Sequence, residues 1–137
     1  MNLIDQTLEV WIERSKQILL MAFPTDSRAV RHATRIANNV EDRLKPIAYL
    51  HDTVEDHPEI VSIEMLKQEG FPSYIVEAVR LLTHLDSDSN RVYWGKVATN
   101  QDAKTVKLAD IADNLSDQPS EYAKKKYAKA LTFFNAA

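Results

Sequence analysis

Residues 51–56 read His-Asp-Thr-Val-Glu-Asp, and the fold follows from how this run sits among its neighbours. Pro46 stands near the start of the segment and Pro58 closes it, the placement of a helix that begins with proline and is stopped by one. Ile47, Leu50 and Val54 recur at helical spacing and define its apolar face. At about 100° per residue, His51, Asp52, Glu55 and Asp56 then fall within an arc of about 140° on the same predicted helix. Three carboxylates so close repel one another by a few tenths of a kcal/mol per exposed neighbour pair, and by more when buried. A bound divalent cation would remove that cost.

A second stretch, residues 106–115 (VKLADIADNL), carries the same logic. Lys107, Asp110 and Asn114 lie on one stripe of a predicted helix, and Leu108, Ile111 and Leu115 occupy the adjoining stripe. Asp110 therefore sits at the edge of a core, where a carboxylate needs a partner.

The rest of the chain extends this helical pattern. A first helix is predicted from about Leu3 to Met21, with Leu8, Trp11, Ile12, Ser15, Ile18 and Leu19 on its inner stripe. A second helix, capped within Thr25 to Ser27, buries Ala29, Ala33, Ile36, Ala37 and Val40 and brings His32 beside them. Ser62 opens another that stops at Gly70, Pro72 precedes the next, and Asp86 to Asn90 form a loop. Further helices are predicted around Val92–Ala98, around Val106–Leu115 and from Pro119 onward; on the last, Tyr122, Tyr127, Ala130, Leu131 and Phe134 form the inner side, and the lysines 124–126 and Lys129 form a solvated face. With only two glycines and no strand-like alternation, the expected fold is all-α, about seven or eight helices in one domain over residues 1–137.

Composition narrows the function. Hydrophobic residues at 45% and charged residues at 27% are those of an ordinary globular protein. A net charge of −3 argues against a nucleic-acid backbone or an anionic membrane as the main partner. Cys is absent, so any metal must be held by imidazole and oxygen. No basic-then-apolar signal opens the chain and its longest apolar stretch, Ile18 to Phe23, is far too short to span a bilayer, so a cytoplasmic location is expected. The oligomeric state is left open, a homo-oligomer included.

The order His32, then His51-Asp52, then Asp110 resembles the H…HD…D pattern of the HD phosphohydrolase superfamily. The longer runs, HDxxED at 51–56 and VKLADIADNL at 106–115, are similar to the hydrolase domain of the RelA/SpoT-type alarmone hydrolases, as are Leu81-Leu82-Thr83, Tyr93 and Asn100. The similarity spans about Ser27 to Leu115. It implies an HD-type helical fold with His32, His51, Asp52 and Asp110 as metal ligands and Glu55 with Asp56 beside the attacking water. Lys107, Asn114 and Arg28 become candidates for phosphate or ribose contacts, Arg31 and Arg35 standing beside Arg28. Such an N/O donor set suits Mn²⁺ first, with Fe²⁺ or Zn²⁺ as alternatives.

The stretch before His32 departs from the alarmone hydrolases. Alarmone hydrolases carry a stretch like R-K-S-G-x-P-Y there, which helps hold the guanine nucleotide; here Phe23 to Arg31 stands in its place, with Ala29 at the Tyr position. The expected activity is hydrolysis of a small phosphorylated nucleotide, with guanosine 3',5'-bis(diphosphate) as the specific candidate. The alternatives are an HD-type phosphomonoesterase or nucleotidase with another substrate, and a sensor that binds metal or nucleotide without turnover.

Overall fold

The computed structural model describes residues 3–136, with side chains from residue 7 onward. Every regular element among them is helical: α1 (Leu3–Ala22), α2 (Arg28–Asn38), a 3-10 turn (Asp42–Leu44), α3 (Lys45–Leu50), α4 (Thr53–Asp56), α5 (Ile63–Gln68), α6 (Ser73–Leu82), α7 (Asn90–Ala98), α8 (Gln101–Ser116) and α9 (Glu121–Ala136). None is long and apolar enough to cross a membrane.

Side-chain caps start several of these helices. Ser27, Ser62, Ser89 and Asn100 each accept a hydrogen bond from the backbone N–H three residues on, at 3.3, 3.1, 3.2 and 2.9 Å, which satisfies a donor that a helix start leaves free. Gly70 ends α5 with a φ of +87°, where any other residue would be strained, and the turn closes as Phe71 N donates to Leu66 O at 3.2 Å.

The core is built around α3, in which Pro46, Ile47, Ala48, Tyr49 and Leu50 are all buried. α1, α2, α6 and α8 pack around it. Ile47 and Leu50 are fully enclosed, each burial stabilising by roughly 1.5–3 kcal/mol, and Leu50→Ala would cost about 2–5 kcal/mol once the cavity it leaves is included. α8 is the second organiser, touching α2, α3, α6, α7 and α9. Val106 and Ile111 anchor it with no exposure.

Two sequence expectations differ from the structure. The segment 46–57 is not one helix: it breaks at His51 and Asp52 into α3 and α4. Both residues keep right-handed dihedrals, but Asp52 has φ −106° and ψ −3°, which interrupts the regular helix between α3 and α4. On α9, Tyr122 is 74% exposed rather than on the inner side, which is held by Ala130 and Phe134.

Candidate metal centre

The site forms where α2, the α3–α4 break and α8 converge. α8 presents Asp110, 5% exposed, and a buried carboxylate is tolerated only with several partners. It has them: Lys107 Nζ donates to Oδ2 at 3.0 Å and Asn114 Nδ2 to Oδ1 at 3.0 Å, both from its own helix face. His32 Nε2 lies 2.8 Å from Oδ1, and His51 Nε2 lies 3.6 Å from the same oxygen. The Lys107 ammonium and the two histidines hold the Asp110 carboxyl well below its usual range against the opposing effect of burial. Lys107 is in turn raised, because Asp110 and the ring of Tyr93 outweigh the burial that would discharge it.

His51 carries the most specific signal. Its Nδ1 donates to the Ala48 carbonyl at 2.7 Å, which fixes the tautomer and leaves Nε2 facing the carboxylates. That Nε2 is buried and has no hydrogen-bond partner. Asp52 Oδ2 is 3.0 Å away but outside hydrogen-bonding geometry. Burial alone would lower the His51 pKa, yet Asp52 and Asp110 together raise it, so the field at this point calls for positive charge. His51 in turn holds Asp52 down against burial.

A divalent cation fits these residues. His32, His51 and Asp52 offer ligand atoms that all lie within 4.8 Å of one another. Two ligands at right angles on an ion, each about 2.1 Å from it, stand about 3 Å apart. The separations of 2.8 Å for His32–Asp110 and 3.0 Å for His51–Asp52 match that spacing. Two imidazoles and two carboxylates form a borderline-hard donor set.

One side chain in contact with the candidate ligands was not picked out from the sequence. Asp113 Oδ2 lies 2.6 Å from His32 Nδ1, so α8 brings a carboxylate to each nitrogen of one imidazole. Arg35 clamps Asp113 from the far side at 2.8 and 2.9 Å. Arg35 and His32 lower the Asp113 pKa, while burial works against the His32 proton and the two carboxylates outweigh it. The three-residue step from Asp110 to Asp113 on a helix was the available clue.

Beside the ligands lies a largely enclosed cavity of about 70 Å³, walled by His51, Asp52, Glu55, His84, Asn90, Tyr93, Lys107, Asp110, Lys126 and Tyr127 among others. Glu55 lines it with one carboxylate oxygen accepting from the His84 backbone N–H at 2.6 Å. Its pKa is raised, first by burial and then by Asp52 and Asp56. His84, in the loop after α6, stacks flat on Tyr93 at 4.4 Å and donates from Nε2 to the Asp88 carbonyl at 2.8 Å. Burial pushes the Tyr93 phenol up to about 12. Asp56 is exposed and Asn114 points at Asp110, neither being part of the cavity wall. Arg28 is 70% exposed, 3.3 Å from Asp117, and also lies off the cavity.

The HD domain family model matches residues 27–116, which is most of the chain and includes every candidate ligand. The chain belongs to the HD domain family, whose members form a superfamily of metal-dependent phosphohydrolases. α1 and α9 lie outside the matched residues. No curated protein matches the chain.

Proposed function

We propose that this protein is a divalent-metal phosphohydrolase acting on a small phosphorylated nucleotide, with guanosine 3',5'-bis(diphosphate), cleaved at its 3'-pyrophosphate, as the first substrate and Mn²⁺ as the first metal to test. The observation that carries the reading is the orphaned Nε2 of His51, its tautomer set by Ala48 and its lone pair turned toward Asp52 and Asp110. His32, His51, Asp52 and Asp110 would hold the ion. When bound, it supplies Lewis acidity, polarising a phosphoryl oxygen and lowering the pKa of water.

The protein's own groups do the rest. Glu55 takes the proton of the attacking water as the new O–P bond forms and the bond to the leaving oxygen breaks; burial, which raises its pKa, makes it a stronger base than a free carboxylate. The His84 N–H fixes that carboxylate, and the nearby Asp56 charge supports its basicity. Lys107 and Asn114 hold Asp110 in place, and Lys107 also reaches the cavity wall, where it contacts a phosphoryl oxygen. Arg28 would reach an anion only by leaving Asp117.

A second reading, a phosphomonoesterase or nucleotidase, is favoured by the cavity itself. It is small, about 70 Å³, and the guanine-binding stretch before His32 is missing. The test is phosphate or pyrophosphate release from guanosine tetraphosphate, nucleotides and simple phosphoesters, with Mn²⁺, Zn²⁺ or chelator, for the native chain, Asp52→Ala and Glu55→Ala. Metal-dependent turnover that both variants abolish supports the hydrolase, and the preferred substrate selects the branch. Metal binding with no turnover on any compound replaces it with the sensor.

A further inference from the structure

α9 lies beyond the residues that match the HD family, yet it supplies part of the cavity wall through Lys126, Tyr127 and Ala130. Ala130 and Phe134, each 1% exposed, fasten the helix in place, so the two polar side chains next to them are held against the site rather than left on a free surface.

Several lysines of the neighbourhood are already engaged, whereas Lys125 and Lys129, exposed on α9, have no carboxylate partner among the described residues and do not line the cavity. Lys107 pairs with Asp110 at 3.0 Å, Lys96 with Asp88 at 2.6 Å and Lys124 with Glu121 at 3.0 Å. Lys126 is half-buried and, among the described residues, has no carboxylate partner; its ammonium lies 5.6 Å from the centre of the Tyr127 ring. The Tyr127 hydroxyl and the Asn90 side-chain amide, both on the same wall, have no hydrogen-bond partner among the described residues either. Burial and the charges of Asp110 and Asp52 raise the Tyr127 pKa, so its hydroxyl stays a donor.

An ammonium, a phenol hydroxyl and a carboxamide N–H₂ can all donate, and a ligand rich in acceptor oxygens satisfies all three. The charges agree. Asp52, Glu55 and Asp110 line the cavity together with Lys107 and Lys126, so adding a divalent cation turns its formal balance positive. A water molecule needs about 10–15 Å³ of such a cavity, so one of about 70 Å³ has room for a phosphoryl group.

We propose that Lys126, Tyr127 and Asn90 form an anion subsite in the cavity that the candidate metal ligands also line, one that grips the phosphoryl group of a phosphate ester while the remainder of the substrate stays outside the cavity. This rests on the phosphohydrolase reading for its place in a reaction, but not for its existence. Charged recognition of a phosphate favours α9 as the part of this chain that sets substrate affinity.

The test is calorimetric binding of inorganic phosphate to the Mn²⁺-loaded full chain, for native protein, Lys126→Ala, Lys126→Arg and Tyr127→Phe, with Mn²⁺ affinity measured in parallel. Losing a charge-assisted hydrogen bond predicts phosphate binding weaker by about tenfold or more in Lys126→Ala, a smaller loss in Tyr127→Phe, and recovery in Lys126→Arg, all with native Mn²⁺ affinity. If Lys126→Ala does not fold, Lys126→Gln keeps the aliphatic stem and serves the same comparison. Native protein that binds no phosphate, or Lys126→Ala that binds it within about twofold of native, overturns the subsite. Because no turnover is needed, a protein that hydrolyses nothing but loses phosphate on Lys126→Ala keeps the subsite and discards the hydrolase; turnover with unchanged phosphate affinity does the reverse.

Discussion

Replacing Asp113 by Asn keeps the shape and one acceptor oxygen but removes the charge that faces His32 Nδ1 at 2.6 Å and Arg35 at 2.8 and 2.9 Å. The Asp113 side chain is 7% exposed, so little solvent screens these contacts on its side, whereas Arg35 is 42% exposed and its share must be discounted. Hydrogen bonds to charged groups contribute about 1.5–3 kcal/mol each; with one largely kept and one half-screened, Asp113→Asn should lose about 1–3 kcal/mol of stability. For a chain of this size that lowers Tm by about 3–10 °C. A second effect is separate. A carboxylate that orients a metal-ligating imidazole through its other nitrogen typically changes metal affinity by about 10–100-fold when lost. Thermal melts in chelator read the first effect and Mn²⁺ titration at a temperature where both proteins are fully folded reads the second. Arg35→Lys, which breaks the paired contact but keeps the charge, should fall between native and Asp113→Asn on both. Asp113→Asn that melts lower but binds Mn²⁺ as native would refute the orienting role and leave Asp113 a structural anchor of α2 on α8.

Glu55→Gln should lower turnover by about 10²–10⁴-fold while leaving Mn²⁺ affinity near native, as single-turnover kinetics and titration would show. Mn²⁺ at 100 times its dissociation constant should stabilise the folded chain by about 2.7 kcal/mol in a denaturant melt, an effect that Asp52→Ala greatly reduces. Arg43 ties the 3-10 turn to the start of α8 through Asp102 at 2.6 and 2.9 Å, and its charge holds the Asp102 carboxyl below the usual range. That stabilisation is present above the ordinary carboxylate pKa and is lost as the pH falls through the depressed folded value. Arg43→Ala should therefore cost up to about 1 kcal/mol at neutral pH, a discounted figure because Arg43 is 47% exposed, and the gap to native should close in strong acid.

Much of this molecule is legible in the residues themselves. The three- and four-residue recurrence of apolar side chains and the Ser, Pro, Asn and Gly punctuation place the helices, because each signal acts within one turn. His51, Asp52 and Asp110 are legible for another reason: ionisable groups beside apolar stripes are costly without a shared partner. The pairing of Asp113 with His32 spans 81 positions, and local spacing says nothing about which distant helix a carboxylate will meet. The break at His51 and Asp52 is hidden too, since neither residue is a helix breaker. Lys126 and Lys124 look alike in sequence, and only the docking of α9 separates a cavity wall from a solvated face.

The contact between His51 Nδ1 and the Ala48 carbonyl joins a side chain to the main chain of its own turn. The aim of the imidazole is thus inherited from the path of the backbone rather than from its neighbours' side chains. Resculpting the cavity wall for a different phosphate ester should leave that aim untouched, which makes the site a tolerant starting point for redesign. Its vulnerable point lies one turn earlier, in α3, where a substitution that shifts the Ala48 carbonyl would misdirect the lone pair without altering a single candidate ligand.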